Sequence, residues 1–409
     1  MKKIIALVVA LMMVLGMAVA CQSAAPSDKP VDDTSAVTPT DTSTSTDVPA
    51  ETYRTPVAKE DLKIGVVHIN DASDQGYSYN HELGALGMIK SLGLEESQYI
   101  PKYNVAEDDS CATAINELIE EGCQIIFTTS FSYGSYTMEA AKAHPEIEFC
   151  HATGSDAVTN EIPNLHNYFA KIHEARYLAG IAAGLKTETN KLGYVGAFPF
   201  AEVISGFTAF YLGAKSVNPD VTMDVIYVNT WSDANKEGQA AQALIDRGCD
   251  VVSQHSDTTG PATTAEKNGK FHVGYNNDMI PAAPNASLIS ARIDWSKYMT
   301  YAVQCMIDGT AIDRDWGQGY KEAAVYLSPL NEKIAAEGTK EAIEAAEAKF
   351  MDGSLQVFQG PLLDAAGKPA EIKSWDGSAV LYTFTDEAFE EPMSAPSFNA
   401  IIAGINIVE

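Results

Sequence analysis

The chain has 409 residues, of which 46% are hydrophobic and 20% charged, so it is long enough for two globular domains. Its 27 Lys and Arg residues stand against 55 Asp and Glu residues, which gives a formal net charge of −28. Because nucleic-acid-binding proteins present basic surfaces, this charge argues against a nucleic-acid partner.

Residues 1–20 have the features of a bacterial export signal. Lys2 and Lys3 precede an apolar stretch that is too short and wrongly flanked for a membrane-spanning helix. The sequence Ala-Val-Ala-Cys at residues 18–21 is typical of a lipoprotein box, with Ala18 where Leu is usual. We therefore expect lipidation of Cys21 and a protein anchored at the extracytoplasmic face of the bacterial cell membrane. The alternative is plain secretion with cleavage nearby.

The next segment, residues 21–60, is rich in Ser, Thr, Pro, Asp and Ala. Such a composition cannot bury enough apolar surface to fold. We expect a flexible linker between the lipid anchor and a globular body. No later stretch of the sequence is long and apolar enough to span a bilayer.

The folded part is predicted to begin with a strand followed by a helix, over residues 62–93. Apolar residues predict a buried strand over residues 64–69, and Leu86, Ile89 and Leu92 recur at helical spacing. Ligands bind at the carboxyl ends of strands in open parallel sheets, so the polar connection after this strand is expected to form one wall of a binding site. The candidate ligand-binding residues in this connection are Asp74, Tyr77, Tyr79, Asn80 and His81.

Strands and helices then alternate along the chain, which predicts an α/β protein with parallel sheets and right-handed crossovers. The same pattern occurs twice, so we expect two Rossmann-like lobes with a binding site in the cleft between their strand ends. The first lobe is predicted over residues 61–170 with part of 290–330, and the second over 171–290 with part of the tail. A helical run ending at Met351 and turn-rich strands are expected within residues 331–409, which would complete the lobes and the hinge.

The other predicted strand ends carry aromatic and polar side chains. This combination suits a flat heteroaromatic ligand, because rings stack on its faces while polar groups pair with its edge. The candidates from these strand ends are Ser130, Phe131, Phe200, Trp231, Asp257, Tyr275 and Asp278.

Motifs that would indicate an enzyme are missing from the sequence. There is no nucleophile elbow, no P-loop, no H-E-x-x-H and no dinucleotide-binding glycine motif, so we expect no catalysis and no cofactor. One alternative is a secreted metal-dependent hydrolase in which several side chains converge on a divalent ion. Its candidate ligands are His68, Asp71, His81, His255 and Asp257. A strand histidine more often has a structural role, and we expect no metal site.

Five cysteines follow Cys21, and none has the spacing of a metal-binding pair. Cys123, Cys150 and Cys249 fall at predicted strands, where a buried thiol behaves as a small apolar side chain. An odd number leaves at least one thiol free, and a single disulfide stays an alternative.

Several segments resemble one family. The runs GVVHINDASDQGYSYNHELG at residues 65–84 and TTSFSYGSYTMEAAKAHPEIEFCHATG at 128–154 resemble the basic membrane lipoprotein family. Its best-known members are purine nucleoside receptors that serve as substrate-binding proteins of ABC transporters. The resemblance implies a type I periplasmic-binding-protein fold, a monomer that captures a purine, and delivery to an ABC permease. It also implies that Tyr77 stacks on the base, with Asn80 and His81 just after it and Phe200 on the opposite face.

The sequence departs from the nucleoside-binding members in two segments. They hold ribose with an Asp in a V-G-V-D-x-D motif and a Lys in T-S-x-x-K, whereas this chain has VGYNND at 273–278 and Ser-Ala-Arg-Ile at 290–293. Tyr77 also stands where the more similar subgroup has Trp, which gives a smaller stacking surface. We therefore expect a free nucleobase such as adenine. The alternatives are a nucleoside or sugar receptor, and a sensor that signals through a partner protein.

Overall fold

The computed structural model describes residues 54–408, which form two large β-sheets, a two-stranded hairpin and the helices that connect them. The expected signal peptide, Cys21 and nearly all of the expected linker lie outside these residues. Within this part of the chain, no helix has the length and apolar character needed to cross a membrane.

The strands are short, with two to seven residues each. They are β1 (Ile64–Val67), β2 (Tyr99–Lys102), β3 (Ile125–Thr128), β4 (Glu148–Ala152), β5 (Leu165–Tyr168), β6 (Lys191–Gly196), β7 (Thr222–Tyr227), β8 (Val251–His255), β9 (Phe271–Tyr275), β10 (Ser287–Ile293), β11 (Asp315–Trp316), β12 (Val325–Leu327), β13 (Glu371–Lys373), β14 (Val380–Thr383) and β15 (Ile405–Ile407).

The α-helices mostly lie between consecutive strands. They are α1 (Tyr77–Leu92), α2 (Ser110–Glu120), α3 (Gly134–Ala143), α4 (Asp156–Asn160), α5 (Ile172–Lys186), α6 (Ala201–Val217), α7 (Ala234–Asp246), α8 (Gly260–Lys267), α9 (Trp295–Asp308) and α10 (Thr339–Asp352).

Each sheet is built around parallel strands. The first has the order β11-β5-β4-β3-β1-β2 and is parallel throughout, and the second has the order β12-β10-β9-β8-β6-β7-β15, in which only β12 is antiparallel. All residues of β1, β3, β4, β5 and β8 are buried, as expected for parallel strands covered on both faces. The prediction of two lobes with parallel sheets is confirmed.

The chain passes between the two sheets three times. Helix α5 leads from β5 to β6, helix α9 leads from β10 back to β11 in the first sheet, and the chain then returns to β12 in the second. The tail adds α10, the β13–β14 hairpin and finally β15, which pairs with β7. Repeated crossings suit two lobes that move as rigid bodies about a shared hinge.

Helices α5 and α6 pack with their backbones in close contact. A Cβ atom at Gly180 would lie 2.0 Å from the carbonyl oxygen of Phe210, and one at Gly213 would lie 1.8 Å from that of Tyr177. Larger side chains would push these helices apart. The glycines thus fix the helix pair that carries two groups of the site described below, Arg176 and Glu202.

Two local predictions are wrong. Tyr77, Tyr79, Asn80 and His81 are not in a loop but form the start of α1, because the Asp74 carboxylate accepts hydrogen bonds from the helix's first N–H groups. Leu86 is 41% exposed and does not face the core. The helical run expected to end at Met351 is α10, which begins at Thr339 after a glycine at φ 80°.

All five described cysteines are free thiols, and all are buried. Burial raises the pKa of Cys111, Cys123 and Cys249 to about 12. The alternative of a disulfide among these five residues is therefore wrong for this structure, and the thiols fill apolar space.

Candidate functional site

A small cavity lies where the carboxyl ends of strands from both sheets meet. Each lining residue stands at or just after a strand end, or in the first residues of the helix that follows. The lining residues are Ile69, Tyr77, Thr129, Ser130, Phe131, Thr153, Glu202, Trp231, His255, Asp257 and Tyr275.

Tyr77 enters the cavity from the first turn of α1. Its hydroxyl donates a hydrogen bond of 2.7 Å to the carbonyl oxygen of Thr129, which follows β3. The ring also contacts His81 at 4.4 Å and Trp295 at 6.1 Å between centroids. These contacts hold the ring in one orientation and leave only 8% of the residue exposed. A ring held this way presents a preorganised wall to a ligand.

The other candidates near Tyr77 lie outside the cavity. The Asp74 carboxylate is occupied by the N–H groups of Gly76, Ser78 and Tyr79 at 2.9–3.0 Å. Asn80 donates to the carbonyl oxygen of Ile293 at 2.9 Å, and Tyr79 is half-buried away from the lining.

His81 stacks on Trp295 at 4.0 Å and faces helix α9. Because the helix starts at residue 77, positions 80 and 81 are rotated toward the α1–α9 contact and away from the ligand side.

Aromatic rings from both sheets meet at the cavity. Phe131, after β3, and Trp231, after β7, both line it, and Phe131 is 38% exposed, so it stands where the cavity meets solvent. Phe200 lies behind them: its ring is 5.4 Å from Phe131 and 6.0 Å from Trp231. It stacks on Phe198 at 5.1 Å. Phe200 therefore supports the aromatic wall, while Phe131 and Trp231 form it.

Two carboxyl groups face the cavity. Burial raises the pKa of Glu202 to about 7, although the nearby Arg176 guanidinium opposes the increase. Burial also raises the pKa of Asp257 well above its ordinary value, with the charge of Asp74 adding to the effect. The Asp257 backbone N–H is held by the Trp231 carbonyl oxygen at 2.9 Å, which fixes the position of this carboxyl group. Burial therefore favours the protonated form of the Asp257 carboxyl, which both donates and accepts hydrogen bonds.

Arg176 lies on α5 behind the cavity and only 2% of it is exposed. Its guanidinium carbon is 3.8 Å from the centre of the Tyr275 ring, and Nη1 donates to the Tyr194 hydroxyl at 2.6 Å and the Gln254 carbonyl oxygen at 3.0 Å. This cation favours the charged form of the Glu202 carboxylate, and its cation–π contact holds the Tyr275 ring in place beside the cavity.

His255 is the second neighbour of Glu202. Its Nε2 is 3.2 Å from Glu202 Oε1, and burial lowers its pKa well below the ordinary value, with Arg176 adding to the effect. The ring is therefore neutral, and it contacts Tyr275 at 4.7 Å. His255 Nδ1 and the Tyr275 hydroxyl have no hydrogen-bond partner among residues 54–408.

Thr153 is a further unpartnered group in the lining. It follows β4 with a φ of 65°, a left-handed conformation that is costly for a β-branched residue. Its buried Oγ1 has no hydrogen-bond partner in the described part of the chain. Buried polar atoms are almost always hydrogen-bonded in proteins. Thr153 Oγ1, His255 Nδ1 and the Tyr275 hydroxyl therefore mark positions where a polar ligand would supply the missing hydrogen bonds.

Sequence reasoning placed six of its candidates on the cavity: Tyr77, Ser130, Phe131, Trp231, Asp257 and Tyr275. It missed Glu202 and Arg176 altogether. The signal for Glu202 was its place two residues after Phe200, in the first turn of the helix that follows a strand. Arg176 gave no signal, because it lies within a helix and reaches the site only through tertiary packing.

Asp278 and the segment 290–293 do not reach the cavity. Asp278 accepts a hydrogen bond from the backbone N–H of Ile280 at 3.0 Å. Arg292 donates to the carbonyl oxygen of Asn276 at 3.1 Å, and its guanidinium lies 5.0 Å from the Tyr326 ring. Both residues are thus engaged in local structure.

The residues of the metal-site alternative are dispersed. His68 Nε2 pairs with the Tyr99 hydroxyl at 2.9 Å, Asp71 caps a turn through the Ser73 N–H, and His81 packs on Trp295. In residues 54–408, no three His, Cys, Asp or Glu side chains are grouped so that they could hold a metal ion.

The chain is similar to several known proteins. It is 35% identical over 322 residues to a purine-binding protein of Brucella abortus, and the alignment covers 78% of this chain and 87% of that protein. It is 33% identical over 306 residues to a Haloferax volcanii protein named for glucose binding in an ABC transporter, covering 75% and 76%. It is 30% identical over 210 residues to an ABC transporter nucleoside-binding protein of Lactococcus lactis, covering 51% and 59%.

Solved structures show the same fold. An ABC transporter solute-binding protein of Aeropyrum pernix aligns with 72% of this chain and 92% of its own at a TM-score of 0.61 and 16% identity. The family model described as "Bmp: ABC transporter substrate-binding protein PnrA-like" matches residues 62–357. The chain belongs to this family of ABC transporter substrate-binding proteins.

Proposed function

We propose that this substrate-binding protein captures a purine, and specifically a free nucleobase such as adenine, in the cavity between its two sheets. The observation that carries the proposal is the composition of that cavity: four aromatic side chains, Tyr77, Phe131, Trp231 and Tyr275, surround two carboxyl groups. The likeness to a purine-binding protein of Brucella abortus supports the same ligand class.

The aromatic rings favour a flat ligand. Offset or edge-to-face ring pairs contribute about 0.5–1.5 kcal/mol beyond the burial of their area. Tyr77 comes from the first sheet and Trp231 from the second, so a planar base between them contacts both lobes at once. A ligand that contacts both lobes stabilises the closed arrangement, because these contacts are lost when the lobes separate.

The two carboxyl groups suit the edge of a base. A protonated carboxyl presents one donor and one acceptor side by side, and purine edges offer an N–H group next to a ring nitrogen or carbonyl oxygen. Burial raises the pKa of Asp257 and so favours its protonated form, which supplies such a group. A ligand that lacks a matching edge leaves a buried polar group unpaired, at a cost of about 1–3 kcal/mol.

The preference for a free base over a nucleoside rests on what this chain lacks near the cavity. The segment that would hold ribose in nucleoside-binding members has no Lys, and Arg292 and Asp278 are engaged elsewhere. A nucleoside is the second candidate, favoured by the likeness to the nucleoside-binding protein of Lactococcus lactis.

In this proposal the protein works outside the cytoplasm as a monomer that is anchored by a lipid on Cys21. Closure of the two lobes over the base buries the polar groups of the cavity, and the closed form is delivered to an ABC permease. No chemistry on the ligand is required at any step.

Isothermal titration calorimetry tests the proposal directly. Adenine, guanine, hypoxanthine, xanthine, adenosine and glucose are titrated separately into the purified protein. We expect micromolar or tighter binding, about −8 kcal/mol, for at least one free base, with weaker binding of the corresponding nucleoside. A clear signal for adenosine with none for any base would overturn the nucleobase assignment, and a signal for glucose alone would overturn the purine assignment.

A further inference from the structure

The β13–β14 hairpin lies outside the part of the chain that matches the family model, which ends at residue 357. Its connecting turn carries Trp375, which is 75% exposed, the largest exposure among the exposed large hydrophobic side chains of the described residues. Exposure of a tryptophan ring to water is energetically unfavourable, and exposed apolar surface often marks a functional site.

The hairpin is attached to the second lobe. Lys373 donates its backbone N–H to the Asn399 side chain at 2.9 Å, and Asn399 donates back to the Lys373 carbonyl oxygen at 2.7 Å. Residues of the hairpin and of the segment that begins at Asn399 share a surface depression with Pro199, which precedes helix α6, and Ile204, which lies in it. A few residues later the chain forms β15, at the edge of the second sheet.

The Trp375 ring reaches from this lobe to the other. It lies 5.5 Å from Phe200, in the second lobe, and 6.3 Å from Phe131, in the first. Phe131 lines the cavity at its solvent-exposed side. The pair Trp375–Phe131 therefore spans the two lobes at the place where the cavity opens to solvent.

We infer that Trp375 is a latch: its ring holds Phe131 when the lobes are closed and so determines how long the ligand stays bound. The inference rests on the proposed function, because it concerns release from the same cavity. Trp375 is not part of the cavity lining, so it acts on the ligand through Phe131 and through closure.

The size of the effect follows from the contact that is lost on opening. Trp375 and Phe200 belong to the same lobe and stay together, whereas Trp375 and Phe131 separate. Loss of one aromatic pair corresponds to about a two- to tenfold change in an equilibrium or rate constant. Because the ligand enters and leaves through the open form, loss of the latch raises the dissociation rate constant and does not lower the association rate constant.

Stopped-flow measurement of adenine binding to Trp375→Ala tests the latch. We expect the dissociation rate constant to rise about two- to tenfold, with no decrease in the association rate constant and with Trp375→Phe restoring most of the difference. Leu381→Ala is the matched control, because Leu381 lies on the same hairpin, is 62% exposed and is not aromatic. An unchanged dissociation rate, or an equal change in the Leu381 variant, would overturn the latch.

A second measurement needs no ligand and separates failure of the latch from failure of the purine assignment. Spin labels on Lys90→Cys, in α1, and Asn235→Cys, in α7, report the distance between the lobes by pulsed electron paramagnetic resonance; both positions are exposed. We expect Trp375→Ala to shift the ligand-free distribution toward longer distances. An unchanged distribution would overturn the latch whether or not adenine binds.

Discussion

Replacement of Gly76 by alanine is the sharpest perturbation of closure that this structure offers. Gly76 lies on the first lobe, directly before α1, and its Cα faces the backbone of Asp257 on the second lobe. An added Cβ would lie 1.7 Å from the Asp257 carbonyl oxygen and 2.6 Å from its carbonyl carbon. The obstacle is backbone, so no side-chain rotation relieves the clash.

The cost is estimated from the displacement required. An ordinary contact between these atoms is about 3.4 Å, so the lobes must part by more than about 1.5 Å at this point, or the two loops must distort. Overpacking of this kind typically costs about 1–3 kcal/mol, which is a roughly 5- to 150-fold loss of affinity for a ligand that needs the closed form. The open form relieves the clash, so the thermal unfolding temperature is expected to fall by no more than a few degrees.

Calorimetry of Gly76→Ala with adenine measures this loss, and thermal unfolding verifies that the variant is folded. Gln75→Ala is the control, because Gln75 is the exposed neighbour on the same loop. If Gly76→Ala is folded and binds adenine within about twofold of the wild type, the lobes do not need this close approach. The reasoning from closure would then be refuted.

Two further predictions concern the carboxyl groups of the cavity. Burial raises the pKa of Glu202 from 4.5 to about 7, so the folded protein binds more protons than the unfolded chain between these pH values. The free energy of unfolding therefore falls as the pH rises through this window, by up to about 3 kcal/mol. Denaturant unfolding at pH 5 and pH 8 should show this slope in the wild type and a smaller slope in Glu202→Gln; equal slopes in both proteins would contradict the assignment. Burial raises the pKa of Asp257 and so favours its neutral form. Asp257→Asn keeps a donor group and an acceptor and should change adenine affinity by less than about threefold, whereas Asp257→Ala should lower it about tenfold or more. Calorimetry that gave the same large loss for both variants would show that the charged carboxylate is required.

Much of the fold follows from the sequence pattern. Alternating buried strands and helical runs predicted both parallel sheets, because short apolar strands that alternate with helices are typical of parallel sheets covered by helices on both faces. The details at element ends were less predictable. Tyr77 was expected in a loop because its neighbours are polar, whereas the Asp74 carboxylate pairs with the first N–H groups and starts the helix there.

The candidate site was partly predictable for the same reason. Residues after strand ends, such as Phe131, Trp231 and Asp257, were identified because the carboxyl edge of a sheet gathers them. Glu202 and Arg176 lie within helices, and their roles depend on how α5 and α6 pack. Trp375 contacts the aromatic wall from more than 170 residues away in sequence, a contact that no local pattern reports.

A crystal structure of the protein grown with adenine would test the central claim most directly. We predict density for the base in the cavity, with the Tyr77 and Trp231 rings in contact with it and the Asp257 carboxyl within hydrogen-bond distance of its edge. Adenine at a different place, or a cavity that remains empty at adenine concentrations far above the calorimetric dissociation constant, would contradict the account.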